Sequence, residues 1–183
     1  LNPQHSHADD FADRPLPYRV FLNKAYNDDG LEASYLLGSA EIGVGIFRGE
    51  DFPFGNTAAT EGQGSDAWSI YYKSIFNLSN TEELAFNLYH LSGKSRADNA
   101  RISTEDNVTF RGDSDLSVIN IDYENSYSSD SKFKISSEYF YRNQDGTFED
   151  AEESTGEVNF DDNDSGYYIS LVNKFNDNLS MGF

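Results

Sequence analysis

A two-residue period runs through nearly every apolar stretch of this chain. In "WSIYYKSIFNL", Trp68, Ile70, Tyr72, Phe76 and Leu78 share one face, and Ser69, Tyr71, Lys73 and Asn77 the other. In "SVINIDYENSY", Ile119, Ile121, Tyr123 and Tyr127 oppose Asn120, Asp122 and Glu124. "KFKISSEYFYR" sets Phe133, Ile135, Tyr139 and Tyr141 against Lys134, Ser136, Glu138 and Arg142. "YYISLVNKF" and "EIGVGIF" repeat the pattern, the latter with Gly43 and Gly45 between Ile42, Val44 and Ile46. A strand places successive side chains on opposite faces, so this alternation predicts half-buried strands and leaves no convincing helical stretch.

The connections sharpen the prediction. "NDDG" (27–30), "GSA" (38–40), "NTEE" (80–83) and "SSDS" (128–131) are short. Long acidic or Gly-rich loops are expected at 49–66, 97–115 and 143–165. Strand, short turn, strand, long loop is the rhythm of an antiparallel up-and-down meander. Transmembrane β-barrels have this rhythm, with an apolar face towards lipid and a polar face towards water. The expected fold is therefore all-β, a transmembrane β-barrel or part of one, with about eight or nine strands. Residues 1–16 read as a polar lead-in and 17–183 as the barrel. Asn176, Asp177 and Asn178 break strands, so "LSMGF" reads as the start of another strand and the chain as a fragment of a larger barrel. A soluble, secreted β-sandwich that binds carbohydrate or another surface shares the same period and is the alternative.

Charge narrows the partners. Thirteen basic and 32 acidic residues give a net charge of -19, which repels nucleic acid phosphates. There is no cysteine, which removes disulfides, thiolate zinc sites and thiol catalysis. Mean hydropathy is low at -0.65, yet 12 Tyr and 14 Phe argue against a disordered acidic chain. No nucleophile elbow, phosphate loop or HExxH appears, so an enzyme is not expected.

"HSHADDFADRPLPYRVFLNKAYNDDG", followed by "IFRGEDFP", resembles a Gram-negative family described as zinc-regulated outer-membrane receptors or porins. His5, His7, Asp10, Phe11, Asp13, Pro15, Leu16, Tyr18, Arg19, Phe21, Leu22, Asp28, Asp29, Gly30, Phe47, Arg48, Gly49, Phe52 and Pro53 carry the likeness, which covers residues 5–53. The family often has Trp where Ala8 or Asp9 stands here. The resemblance implies an outer-membrane location, lipid as a partner, and passage or uptake of small solutes, zinc or other divalent cations among them. TonB coupling would need a plug domain, of which this sequence shows no sign.

Three groups of residues are candidate sites. His5 and His7 on an extended segment point the same way, and Asp10 and Asp13 could complete a zinc shell at the periplasmic mouth. Asn120, Asp122, Glu124, Lys134, Glu138 and Arg142 are expected to face the lumen. "DDNDSG" (161–166) resembles the front of a calcium loop through Asp161, Asn163 and Ser165, but Val172 stands where the closing Glu belongs, so calcium is not expected. Zinc should bind the wild-type protein more tightly than a His5→Ala/His7→Ala variant in a calorimetric titration, less so as the pH falls and the imidazoles protonate. Equal binding by both would reduce the segment to a solvated leader.

Overall fold

The computed structural model describes residues 15–22, 26, 28–49, 53–54, 66–98, 108–150, 157–176 and 179–182. One short helix, α1 (Leu16–Phe21), precedes eight strands: β1 (Gly30–Leu37), β2 (Ala40–Phe47), β3 (Ala67–Asn77), β4 (Glu82–Asp98), β5 (Val108–Ser126), β6 (Lys132–Asp150), β7 (Val158–Asn176) and β8 (Leu179–Gly182). They form a single antiparallel sheet in the order β1 to β8, each strand pairing with its neighbours in sequence. The up-and-down meander expected from the alternation is therefore present. The sheet is open: among the described residues β1 and β8 do not pair, so closure into a barrel is not realised here.

Connections alternate in length as the sequence suggests. β1 and β2 meet through Gly38 and Ser39, with Leu37 opposite Ala40 and Gly38 at φ 62, a conformation that favours glycine in two-residue hairpin loops. Residues 78–81 and 127–131 make the next turns at the same end of the sheet. The three long connections lie at the opposite end. So does Gly30, where β1 begins: Arg48 N–H donates to the Asp29 carbonyl, and Gly49 N–H donates to Asp28 Oδ2 at 2.6 Å.

Two expectations are corrected. First, Leu16–Phe21 is helical rather than the alternating approach to a strand. Pro15 caps it, and Pro17 sits in the first turn, where the missing N–H leaves no helical bond unmade. The helix puts Pro17 and Phe21, four residues apart, on one buried face. Second, the loops expected at 97–115 and 143–165 are largely strand. β5, β6 and β7 each run 19 residues. Polar segments such as Arg111–Asp115 stay in register with Asn143–Thr147, because ladder hydrogen bonds need backbone groups and not apolar side chains. Gly112 faces Gly146, and a Cβ on either would strike the backbone carbonyl across the pair.

Register fixes the two faces of the sheet. Tyr35, Ile42, Tyr72, Leu88, Ile119, Tyr139 and Tyr167 form one continuous cross-strand row. The rows on either side supply Val44, Ile70 and Tyr141, and Phe86, Ile121 and Ile169. On this face Tyr167 is 74% exposed, Ile169 62%, Val44 52% and Ile121 45%. The opposite face buries Asn120, Ser136, Glu138, Arg142 and Gln144. Part of the polar face carries an apolar patch made of Ala67, Leu91, Leu116, Val118 and Phe140, and α1, Leu22, Tyr26 and Phe54 cover it.

Tyr71 also belongs to the polar face. Its ring lies across β2 against Gly43, where any Cβ would collide with it, and its hydroxyl reaches Glu41 Oε1 at 2.9 Å and Glu32 Oε1 at 3.2 Å. The glycines that interrupt "EIGVGIF" thus seat aromatic rings, an aromatic cover over glycine that pins strand register.

Candidate functional site

The six residues expected to line a lumen, Asn120, Asp122, Glu124, Lys134, Glu138 and Arg142, all project from the face of β5 and β6 that α1 covers in part. Asn120 pairs with Glu138, Asp122 with Ser136, and Glu124 with Lys134 across the ladder. Towards the short-turn end this face is a polar network. Asn87 Nδ2 donates to Asn120 Oδ1 at 2.6 Å, and Asn120 Nδ2 reaches Asp122 Oδ1 at 3.4 Å. Lys132 Nζ pairs with Glu124 Oε2 at 2.9 Å. On the other face, near the same turn, Tyr123 OH donates to Glu82 Oε1 at 2.7 Å.

One layer deeper, α1 docks. Phe21 stacks on Phe140 at 5.6 Å between centroids, and Tyr18 meets Phe140 edge-on at 5.2 Å. Tyr18 OH donates to Glu138 Oε1 at 3.2 Å. Burial, and next the Glu138 carboxylate, push the Tyr18 hydroxyl well above the usual phenol range, so it remains a donor. Arg142 is 2% exposed; its Nη2 contacts both Asp164 oxygens, at 3.3 and 3.2 Å, and its guanidinium lies 4.9 Å over the Phe21 ring. Phe21 and Pro17 also press on Gly166 of β7, where an added Cβ would be 3.0 Å from Phe21 Cε2. The helix is thus held by stacking, by a charge-assisted hydrogen bond and by a guanidinium contact, all on one face.

A second recess lies beside α1. Tyr26, Asp28, Glu32, Phe47, Ser69, Tyr71 and Tyr89 are among its lining residues. Tyr26 OH donates to Asp28 Oδ2 at 3.0 Å. The recess is acidic and aromatic.

The other candidates fare differently. His5, His7, Asp10 and Asp13 lie outside the described residues. Among those that are described, no group of three or more His, Cys, Asp or Glu is placed to hold a metal ion. Asp161, Asn163 and Ser165 are not in a loop. They sit in β7, paired with Asp145, Asn143 and Tyr141, and share one exposed face. A calcium loop must wrap its ligands around the ion, which an extended, laddered strand cannot do.

Sequence reasoning missed Tyr18, Phe21 and Asp164. The Pro-Leu-Pro opening of α1 was the available signal, since proline is favoured in the first helical turn. No family model matches the chain, and no curated protein and no solved structure matches it.

Removing the Tyr18 hydroxyl (Tyr18→Phe) should weaken α1 docking by about 1–3 kcal/mol, because a buried carboxylate loses a donor. Hydrogen exchange of the α1 amides should then speed up while β5 and β6 keep their protection. Unchanged α1 exchange would show that stacking alone holds the helix.

Proposed function

We propose that this chain forms part of the wall of an outer-membrane β-barrel through which small solutes pass or are taken up. The observation that carries the reading is the inversion of the sheet: its apolar face is exposed while charged and amide side chains are buried on the other. Among the described residues nothing covers that apolar face, which exposes large side chains on strand after strand, whereas a soluble monomer rarely exposes a contiguous apolar patch of more than a few hundred Å². No described helix is long and apolar enough to cross a membrane, and in this reading the strands do the crossing. Lipid is the cover that fits, and the polar face then borders water.

The geometry of the apolar band gives independent support. Its midpoint lies at Val44 on β2, Tyr72 on β3, Phe86 on β4, Ile121 on β5, Ser137 on β6 and Leu171 on β7. The cross-strand row through Val44 meets β7 at Ser165, six residues from Leu171 (171 − 165). At about 3.3 Å per residue that drift is roughly 20 Å, over five strand spacings of about 4.8 Å, or roughly 24 Å. The band therefore crosses the strands at an angle of about 40° from the perpendicular, the tilt that transmembrane barrel strands adopt. A band buried against a second soluble sheet has no reason to drift in this way. Beyond the band, Asp115, Asn143 and Asn163, then Asp113, Asp145 and Asp161, continue the same face with polar groups. Those ends would project into water on the long-connection side.

In a bilayer both sheet edges must be paired, since unpaired backbone groups are not tolerated in lipid. The reading therefore requires partners for β1 and β8. α1 would narrow the water-filled side at the level of Phe140. Acidic groups on the polar face and in the recess beside α1 favour cations over anions. Zinc or another divalent cation is the solute that the sequence resemblance favours.

The protein should be recovered only with detergent, and conductance across a planar bilayer should be cation-selective. Ile121→Arg should block membrane assembly, at a cost of about 2–4 kcal/mol near the bilayer midplane. Asp161→Arg, on the same face but beyond the band, should assemble normally. Full recovery in an aqueous wash, with Ile121→Arg as soluble as the wild type, would favour the secreted β-sandwich instead.

A further inference from the structure

The apolar face holds one cluster that a lipid-facing wall does not require. His90 on β4 is directly opposite Ser117 on β5, and the next pair along is Ser92 and Asp115, on the same face. His90 Nδ1 lies 3.0 Å from Ser117 Oγ, and His90 Nε2 lies 3.9 Å from Asp115 Oδ1. The Trp68 ring is 5.2 Å from the imidazole. One imidazole thus faces a hydroxyl with one nitrogen and a carboxylate with the other. Nucleophile, base and orienting acid stand in this relation in serine hydrolases of unrelated folds. The His90 and Asp115 side chains are 35% and 42% exposed, so a reacting group can reach them.

We propose that Ser117, His90 and Asp115 form a hydrolytic site for esters of long-chain acids. The choice of acyl chain rests on the membrane reading above; the chemistry of the three residues does not. The site lies where the apolar band ends. Leu88 and Ile119 lie on one side of the His90–Ser117 pair, and Ser92 and Asp115 lie on the other. An ester lying at a bilayer surface, with its chain along the band, would present its carbonyl at this level.

The reaction balances without any other reagent. Ser117 Oγ attacks the ester carbonyl carbon, and its proton passes to His90 Nδ1. The carbon–alkoxy bond breaks, and the departing alcohol takes that proton. Water then gives a proton to Nδ1 and adds to the acyl carbon, and the acid leaves as Ser117 recovers its hydrogen. Ester plus water becomes acid plus alcohol. His90 must carry its resting proton on Nε2, and Asp115 favours that tautomer. Asp115 is a positioning residue, and its 3.9 Å separation would shorten once the imidazole becomes charged. β4 and β5 are interior strands whose N–H groups serve the ladder, so no pair of them is aimed at the oxyanion. Lack of such a hole costs about 10²–10³ in rate. Turnover is accordingly slow, and acylation of Ser117 is the sensitive readout.

Ethyl and decyl fluorophosphonates report that step directly, since Oγ displaces fluoride at phosphorus while His90 takes the proton. The detergent-purified wild-type protein should yield an adduct on Ser117 and none on Ser69, which faces the other way. His90→Gln should slow labelling by about 100-fold or more. Asp115→Asn should slow it too, and Asp115→Glu should restore it, which a merely structural role would not produce. Absence of a Ser117 adduct in the wild-type protein, or equal rates in His90→Gln of unchanged strand content, overturns the site. Faster labelling by the decyl probe supports the long-chain assignment. Equal rates for the two probes sink that assignment, whatever the detergent-extraction result says about the membrane.

Discussion

An apolar sheet face with none of the described residues packed over it is the constraint on which the rest of this molecule depends. Exposed apolar area costs about 25 cal/mol per Å² in water, and this face presents large side chains on every strand. A two-layered domain removes that cost by packing a second layer on the sheet. Here the second layer, α1 with Leu22, Tyr26 and Phe54, sits on the opposite face, against Leu116, Val118 and Phe140. Among the described residues, the cover thus lies on the side that already carries the polar network. In the proposed membrane reading, lipid as the cover would explain both facts together and the diagonal course of the apolar band.

The polar face is held to a matching logic. A buried arginine or glutamate needs partners, or burial costs several kcal/mol. Arg142 has Asp164 and the face of Phe21, and Glu138 has the Tyr18 hydroxyl. α1 therefore supplies partners to two charged groups of β6 while it fills an apolar hollow. Gly166 marks a place where backbone must come close to an aromatic ring, that of Phe21, for this to work.

Much of the fold was legible in the alternation. The rows through Trp68–Phe76, Ile119–Tyr123, Phe133–Tyr141 and Tyr167–Phe175 all became strands, and turns at 38–40, 80–83 and 128–131 fell close to where the short polar runs put them. The six polar-face residues were legible for the same reason, since period two assigns sides as well as strands. Polar strand was not legible: segments such as 111–115 and 143–147 lack the apolar half of the pattern, and only their partners across the ladder make them regular. α1 was missed because six residues are too few for a helical period to appear against a proline-rich background. Closure of the sheet could not be read either, because it depends on what β1 and β8 meet. The Ser117, His90 and Asp115 grouping is a product of register, invisible until Leu91 is known to oppose Leu116.

Trp68 offers the most direct test, because it is the single tryptophan and lies 45% exposed on the apolar face. In vesicles of phospholipid brominated on the acyl chain, the account predicts strong quenching of its fluorescence and protection from aqueous iodide. Quenching by iodide as efficient as for a free indole, with none from the brominated chains, would contradict the claim that lipid covers this face.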